Sequence, residues 1–243
     1  MSGDNNGDTL IRVSSVTKRY GALTAVNSLT LSVAAGEVYG LVGANGAGKS
    51  TLIRMIAGLT VPDDGEVSVC GLNVARTPQV KRRLGYLPEE LFLYERLTGR
   101  EYLELVCGLK EADANLIAAE LEFFNLQAAA DKWIGGYSLG MRKKVGLAAA
   151  MLGAPDVLML DEPLNGLDVE MMRKVRLRVE EERTRGRAIL ISSHVMSFVE
   201  RTCQRVGIMR AGILAAEGTP DELRIRTQLP SAPFEDVFFR LAM

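Results

Sequence analysis

Residues 43–50 read Gly43-Ala44-Asn45-Gly46-Ala47-Gly48-Lys49-Ser50, with Thr51 next. They fit the spacing G-x-x-x-x-G-K-[ST], for which a chance match in a chain of this length is on the order of 1%. The motif makes sense only as the turn between a buried strand and a helix. Val38 to Val42 is a short apolar run ending in glycines, consistent with a buried parallel strand. Ser50 to Leu59 carries a helical apolar pattern that closes at Gly58 and the Pro62-Asp63-Asp64-Gly65 turn. Glycines at 43, 46 and 48 let the backbone curl so that its N–H groups point inward as an anion nest. The helix start near Lys49 adds its positive end. A triphosphate suits this loop, with the Lys49 ammonium reaching the β- and γ-phosphates and the Ser50 hydroxyl ligating Mg²⁺.

Such a loop needs a carboxylate at the end of a neighbouring strand. Val157-Leu158-Met159-Leu160-Asp161-Glu162 supplies one. Asp161 falls at the carboxyl end of that strand, where ligands bind in open α/β sheets, and is expected to hold Mg²⁺ directly or through water. Glu162 can face the attacking water as general base.

The surrounding chain supports one domain with an inserted lobe. Leu10 to Val16 and Leu29 to Val33 alternate as strands, and Glu66 to Cys70 reads as another. From Thr98 to about Gly153 strand signals stop. Leu103, Leu105, Val106 and Leu109, then Leu116, Ile117, Leu121 and Phe124, recur at helical spacing, so this stretch is a helical lobe. Strand character resumes at Val157 and again over Ala188 to Ile191, with a long charged amphipathic helix over Val169 to Arg185 between them. From about Asp221 the chain reads as a helix, a Pro-containing link and a short final helix. In the last of these Phe234, Val237, Phe238 and Leu241 share one face, suited to the core or to a second copy. Residues 1–9 are polar and Gly/Asn/Asp-rich, the composition of a flexible terminus, and are no signal peptide.

Several functions are disfavoured at once. The chain is 243 residues long, 47% hydrophobic and 24% charged, the profile of a soluble globular protein. Its longest apolar stretch, Val145 to Ala154, is about half the ~20 residues a membrane span requires. A net charge of −1 gives no global attraction to nucleic acid or anionic lipid. The basic runs at 81–83, 142–144 and 173–178 read as solvated faces. The three cysteines, Cys70, Cys107 and Cys203, have no metal or disulfide spacing and fit a reducing compartment. No Asn-Lys-x-Asp element for guanine is present.

From about Leu10 to Glu217 the motifs, in order, resemble those of the ATP-binding cassette (ABC) ATPases. Tyr20 precedes the phosphate loop where that family stacks an aromatic ring on adenine. Gly85-Tyr86-Leu87-Pro88-Glu89 looks like its Q-loop segment, and Tyr137-Ser138-Leu139-Gly140-Met141 like its signature. Leu164-Asn165-Gly166-Leu167-Asp168 looks like the D-loop, and Ser192-Ser193-His194 like the H-switch. His194 is the only histidine in the chain and follows a strand end, where an imidazole could hydrogen-bond a γ-phosphate and orient water. Three positions depart from the common pattern. Glu89 stands where Gln is usual, and Asn165 where Ser is commoner. Only Ser138 and Gly140 remain of the usual Leu-Ser-Gly-Gly-Gln. The Tyr-Leu-Pro-Glu and Tyr-Ser-x-Gly-Met versions, with Arg142-Lys143-Lys144 behind, look like those of bacterial ABC-2-type exporters.

The resemblance implies an α/β fold: a P-loop NTPase (RecA-like) core, an N-terminal antiparallel β subdomain and an inserted α-helical subdomain over about residues 89–153. The cassette would span residues 10–220, followed by a helical tail over 221–243. It implies an ATPase that uses ATP and Mg²⁺. Nucleotide contacts would come from Tyr20, Gly43, Asn45, Gly46, Gly48, Lys49, Ser50, Thr51, Glu89, Ser138, Gly140 and Asp168. Metal contacts would come from Ser50, Asp161 and Glu89, and catalysis from Glu162, His194 and Lys49. The implied partners are a second cassette, most simply the same chain facing head to tail, and a transmembrane permease holding this subunit at the cytoplasmic face of the membrane. Nucleic acid is not an implied partner. The competing reading is a soluble ABC-type ATPase acting on the ribosome or DNA. Such relatives usually carry two cassettes or a long coiled-coil insertion, whereas this chain has one cassette and about fifty residues between Glu89 and Ser138. A non-catalytic regulatory module is disfavoured because Lys49, Asp161, Glu162 and His194 are all present.

Overall fold

The computed structural model describes residues 9–242. The expected flexible start over 1–9 lies outside the described residues except for Thr9, which is already paired with Ala34 in a sheet. A four-stranded antiparallel sheet runs in the order β2-β1-β4-β5, built from β1 (Thr9–Tyr20), β2 (Leu23–Ala34), β4 (Asp64–Val69) and β5 (Leu72–Asn73). The expected alternation in β1 buries Ile11 and Val13, then jumps to Val16. The register shifts there, and Ser15 takes a left-handed φ of 47°, a bulge that re-aims the remainder of the strand.

The second sheet has six strands in the order β10-β9-β3-β8-β7-β6. Its members are β3 (Val38–Gly43), β6 (Leu84–Leu87), β7 (Val157–Asp161), β8 (Ala188–Ser192), β9 (Arg205–Arg210) and β10 (Ile213–Gly218). Every pairing is parallel except β9 with β10. The central strands β7 and β8 are buried along their whole length, which is why they read as unbroken apolar runs. Their side chains alternate between two cores. Tyr39, Leu41, Val157, Met159, Ala188 and Leu190 face the antiparallel sheet and helix α1 (Lys49–Ile56). Val38, Val42, Leu158, Leu160, Ile189 and Ile191 face the other layer, which holds the helical lobe and α5 (Val169–Thr184).

The helical lobe consists of α2 (Gly99–Lys110), α3 (Leu116–Phe123) and α4 (Leu139–Met151). Thr98 and Glu101 form a reciprocal capping box at the start of α2. Beyond β8 come α6 (Met196–Thr202), α7 (Pro220–Thr227) and α8 (Phe234–Ala242). Phe234, Val237 and Phe238 of α8 are buried in the second core, with Leu241 packed against it. The final helix therefore seats on its own chain, which resolves the two possibilities its sequence left open.

The helix that opens the signature segment ends deep in the protein, and its last carbonyls need donors. Lys110, from the end of α2, supplies them. Its Nζ donates to the carbonyls of Ala149, Ala150 and Leu152 at 3.1, 3.2 and 2.9 Å. Burial lowers its pKa to about 8, so it still carries its charge at neutral pH, where a cation also suits a helix C-terminus. Lys110→Met keeps the stem and removes the donors. It is expected to cost about 2 kcal/mol and to lower Tm by about 4–8 °C, read by thermal melting at pH 7. An unchanged Tm would mean water replaces the ammonium.

Candidate nucleotide site

The strand order places the phosphate loop, Asp161-Glu162 and Ser192-Ser193-His194 at the carboxyl ends of β3, β7 and β8, three adjacent parallel strands. Residues separated by more than a hundred positions in the chain thus share one edge of the sheet. A cleft of about 400 Å³ opens there, the size of a small-molecule pocket. It is lined by Tyr20, Leu23, Ala25, the loop from Asn45 to Thr51, Glu89, Asp161 and Glu162.

The loop conformation depends on its glycines. Gly48 has φ 103°, and a Cβ there would fall 2.2 Å from the carbonyl oxygen of Ala25. Gly48 also serves as the N-cap of α1 without any side-chain cap. The first-turn N–H groups therefore face the loop and are available to an anion. Lys49 folds back over the loop, its Nζ donating to the carbonyls of Gly43 at 2.7 Å and Ala44 at 3.2 Å. Gly43 belongs to this cradle through its carbonyl and does not itself line the cleft.

The carboxylate pair is held by the neighbouring strand. Asp161 is buried and accepts a hydrogen bond from the Ser192 hydroxyl. Burial raises its pKa, the Ser192 hydrogen bond pulls it back, and Glu89 and Glu162 push it up again. Glu162 takes φ 48°, a left-handed conformation uncommon for a residue with a side chain. Its N–H is anchored on both the carbonyl and the hydroxyl oxygen of Ser192, each at 3.1 Å. The turn is thereby fixed, and adjacent acids leave the strand in different directions. The Glu162 carboxylate lies 2.9 Å from His194 Nδ1 and accepts weakly from the His194 backbone N–H at 3.4 Å. The His194 ring is mostly exposed, so a buried carboxylate and a solvent-facing imidazole stand side by side. Such a pair can take a proton from water and hold the donor of that proton in line.

The oxygen donors fit a hard divalent cation. The Ser50 hydroxyl and the Asp161 and Glu89 carboxylates line the same cleft. Among the described residues no three His, Cys, Asp or Glu side chains group tightly enough to hold a metal alone. That composition suits Mg²⁺, which is commonly bound by one or two carboxylates together with substrate phosphates.

Other expected site residues lie elsewhere. Ser138, Gly140, Asp168 and His194 do not line the cleft. Ser138 caps α4, its Oγ accepting from the Met141 N–H at 3.3 Å, so the helix starts at Leu139. Gly140 packs on Gly166, where a Cβ would come within 2.7 Å of the Gly166 carbonyl oxygen. Asp168 caps α5 through Oδ1, 2.8 Å from the Met171 N–H. The signature and D-loop segments therefore pack on one another, away from the lysine loop. Ser192, which fixes both acids, carried no role in the sequence reading. Its only signal was its place two residues before the lone histidine.

An amide nest, a lysine, a hydroxyl and paired carboxylates at the ends of adjacent parallel strands define a P-loop nucleoside triphosphatase. Residues 26–165 match the ABC transporter family. Among curated relatives, the Nod factor export ATP-binding protein I of Rhizobium meliloti (strain 1021) is 41% identical over 88% of this chain, which spans 65% of that protein's length. The bacitracin transport ATP-binding protein BcrA of Bacillus licheniformis is 37% identical over 90% of this chain and 73% of its own. The solved structure of an ATP-binding subunit of an ABC transporter superposes with a TM-score of 0.92 at 32% identity, covering 97% of this chain and 100% of that one. The chain belongs to the ABC transporter family and is an ATP-hydrolysing cassette of it.

Proposed function

We propose that this cassette is the motor of an exporter, and that two copies close head to tail around ATP to drive a separate transmembrane subunit. The observation that carries this reading is the division of the site. The cleft holds Lys49, Ser50, Asp161 and Glu162, whereas Ser138 caps α4 and Gly140 packs against Gly166, both outside it. Ser138 and the N-terminal end of α4 can then serve only the nucleotide of a facing molecule. Export is supported by the relatives named above, one of which is called an export protein and the other a transport protein. No helix among the described residues is long and apolar enough to cross a membrane, and in this reading a separate transmembrane subunit carries the cargo. The cytoplasmic face of the membrane, reached through that permease, is the setting this assembly requires.

In this scheme the loop amides and Lys49 bind the phosphates, and Tyr20, half exposed at the cleft rim, offers its ring to the base. Ser50, Asp161 and Glu89 would hold Mg²⁺, which neutralises phosphate charge. Glu162 accepts a proton from the attacking water, and His194 holds the γ-phosphate and that water in line. Cleavage removes the bond between the γ-phosphate and the rest of the nucleotide, so the two copies separate and the permease is reset.

A site completed by a second copy makes turnover depend on protein concentration. The specific ATPase activity of the isolated chain is expected to rise by about tenfold or more as concentration increases from well below to well above the dimer Kd, measured by phosphate release. A specific activity constant over the whole range would overturn the shared-site reading.

A further inference from the structure

Tyr20 stands at the cleft rim on the tip of a hairpin. It pairs with Leu23 across the two-residue turn Gly21-Ala22, where Gly21 takes a φ of 58°. About half of the residue is exposed, so core packing does not fix the ring. A free aromatic rotor at that place would lose side-chain entropy each time it met a base. What holds it lies two residues back, on the same face of β1. Lys18 places its ammonium over the Tyr20 ring, 5.7 Å from the centroid. That lies inside the ~6 Å reach of a cation–π contact.

Lys18 is itself clamped, with its side chain only 16% exposed. Its Nζ donates to Asp63 Oδ1 at 2.8 Å, and Asp63 Oδ2 accepts from the Arg19 N–H at 2.6 Å. The Asp63 N–H donates to the Thr17 carbonyl at 2.8 Å. One turn thus grips three successive residues of β1, Thr17 to Arg19, and steers the ammonium to the ring. The β1–β2 register shifts between Lys18 and Arg19, an irregularity of the kind that re-aims side chains beside binding sites.

We propose that Lys18 is a positioning residue for base recognition: anchored by Asp63, its ammonium covers one face of the Tyr20 ring and leaves the other to the adenine of the nucleotide. The inference rests on the role proposed above for Tyr20. The phosphates are gripped by the loop amides and Lys49, whereas the base meets a half-exposed ring. The orientation of that ring therefore sets how much the base adds to affinity. Helix α1 begins in the phosphate loop, and the chain beyond it leads directly to Asp63. One short segment, residues 49–63, thus carries both the grip on the phosphates and the anchor of the ring.

The test compares a ligand that has a base with one that lacks it. ADP and pyrophosphate, each with Mg²⁺, are titrated calorimetrically into the full chain. Lys18→Met keeps the stem and loses the charge. It is expected to raise the Kd for ADP about three- to fivefold and to leave the Kd for pyrophosphate within about twofold. Lys18→Arg keeps a cation that stacks on aromatic rings and pairs with carboxylates, and should restore ADP binding. Asp63→Asn loosens the ammonium and should shift ADP in the same direction as Lys18→Met. Tyr20→Ala is expected to raise the Kd for ADP about tenfold, and adding Lys18→Met to it should cause no further change. A lysine acting only by its charge on the phosphates would weaken ADP and pyrophosphate alike. One that only braces the strand would lower Tm without separating the two ligands. Either result, or a Lys18→Met effect that persists without the ring, would overturn the proposal. Failure of the base-stacking reading registers differently: Tyr20→Ala alone would leave ADP binding unchanged, and this inference would fall with it.

Discussion

Glu162→Gln is expected to bind ATP about as tightly as the wild-type chain and to hydrolyse it at least about a hundredfold more slowly. The substitution is nearly isosteric, and the features that fix this residue are retained. The backbone turn with φ 48° is set by Ser192, whose carbonyl and hydroxyl both accept from the Glu162 N–H and neither of which touches the side chain. The neutral amide can still lie against His194 Nδ1, now without any capacity to accept a proton from water. Binding is carried by Lys49, Ser50 and the loop amides, none of which depends on this carboxylate. The variant should therefore accumulate as an ATP-bound dimer, visible by size-exclusion chromatography with ATP and absent with ADP. Phosphate release within a few-fold of wild type would remove Glu162 from the chemistry and leave His194 as the remaining candidate base.

The second large effect belongs to Ser138. Ser138→Arg is expected to weaken ATP-dependent dimerisation at least about a hundredfold, through bulk at a close contact and the loss of the hydroxyl. Two roles are mixed in that residue, because Ser138 is also the N-cap of α4. Losing the cap costs about 1 kcal/mol, a modest fall in Tm. Ser138→Asp separates the roles. Asp caps a helix as well as Ser, so Tm should be retained, while its negative charge opposes the γ-phosphate and association should still fail. Sedimentation with ATP in the Glu162→Gln background reads both variants. Normal dimerisation by Ser138→Asp would mean that the signature segment does not meet the facing nucleotide.

The chemistry-bearing segments were legible in the chain because each is local. The phosphate loop is a turn between a strand and a helix, and its glycines are dictated by φ angles and by contacts such as Gly48 against Ala25. The runs ending at Asp161 and before Ser192 are unbroken apolar segments because β7 and β8 are covered on both faces. Shorter or mixed strands were not legible. β6 has four residues, and β9 opens and closes on arginine, so neither shows a period. In β1 the bulge at Ser15 breaks the alternation after Val13, because its cause is a backbone twist and not a residue pattern.

By itself the sequence determined the class of chemistry. Lys49 and Ser50 in a glycine-rich turn, with two acids after an apolar strand, admit a triphosphate and hardly anything else. The same holds for the first part of the helical lobe, whose apolar spacing is written along α2 and α3. Only the tertiary structure decided who meets whom. The order β3-β8-β7 brings Ser192 to Asp161 and Glu162, and His194 to Glu162, across about thirty residues of chain. It also sets Gly140 on Gly166 of the D-loop segment instead of in the cleft, and buries Lys143 of the basic run that read as a solvated face. The physical reason is that hydrogen bonds between strands and the direction of a buried charge depend on neighbours that are distant in sequence. Local propensity encodes the parts, and long-range packing decides that Lys49 and the two acids meet in the cleft while Ser138 and Gly140 lie outside it.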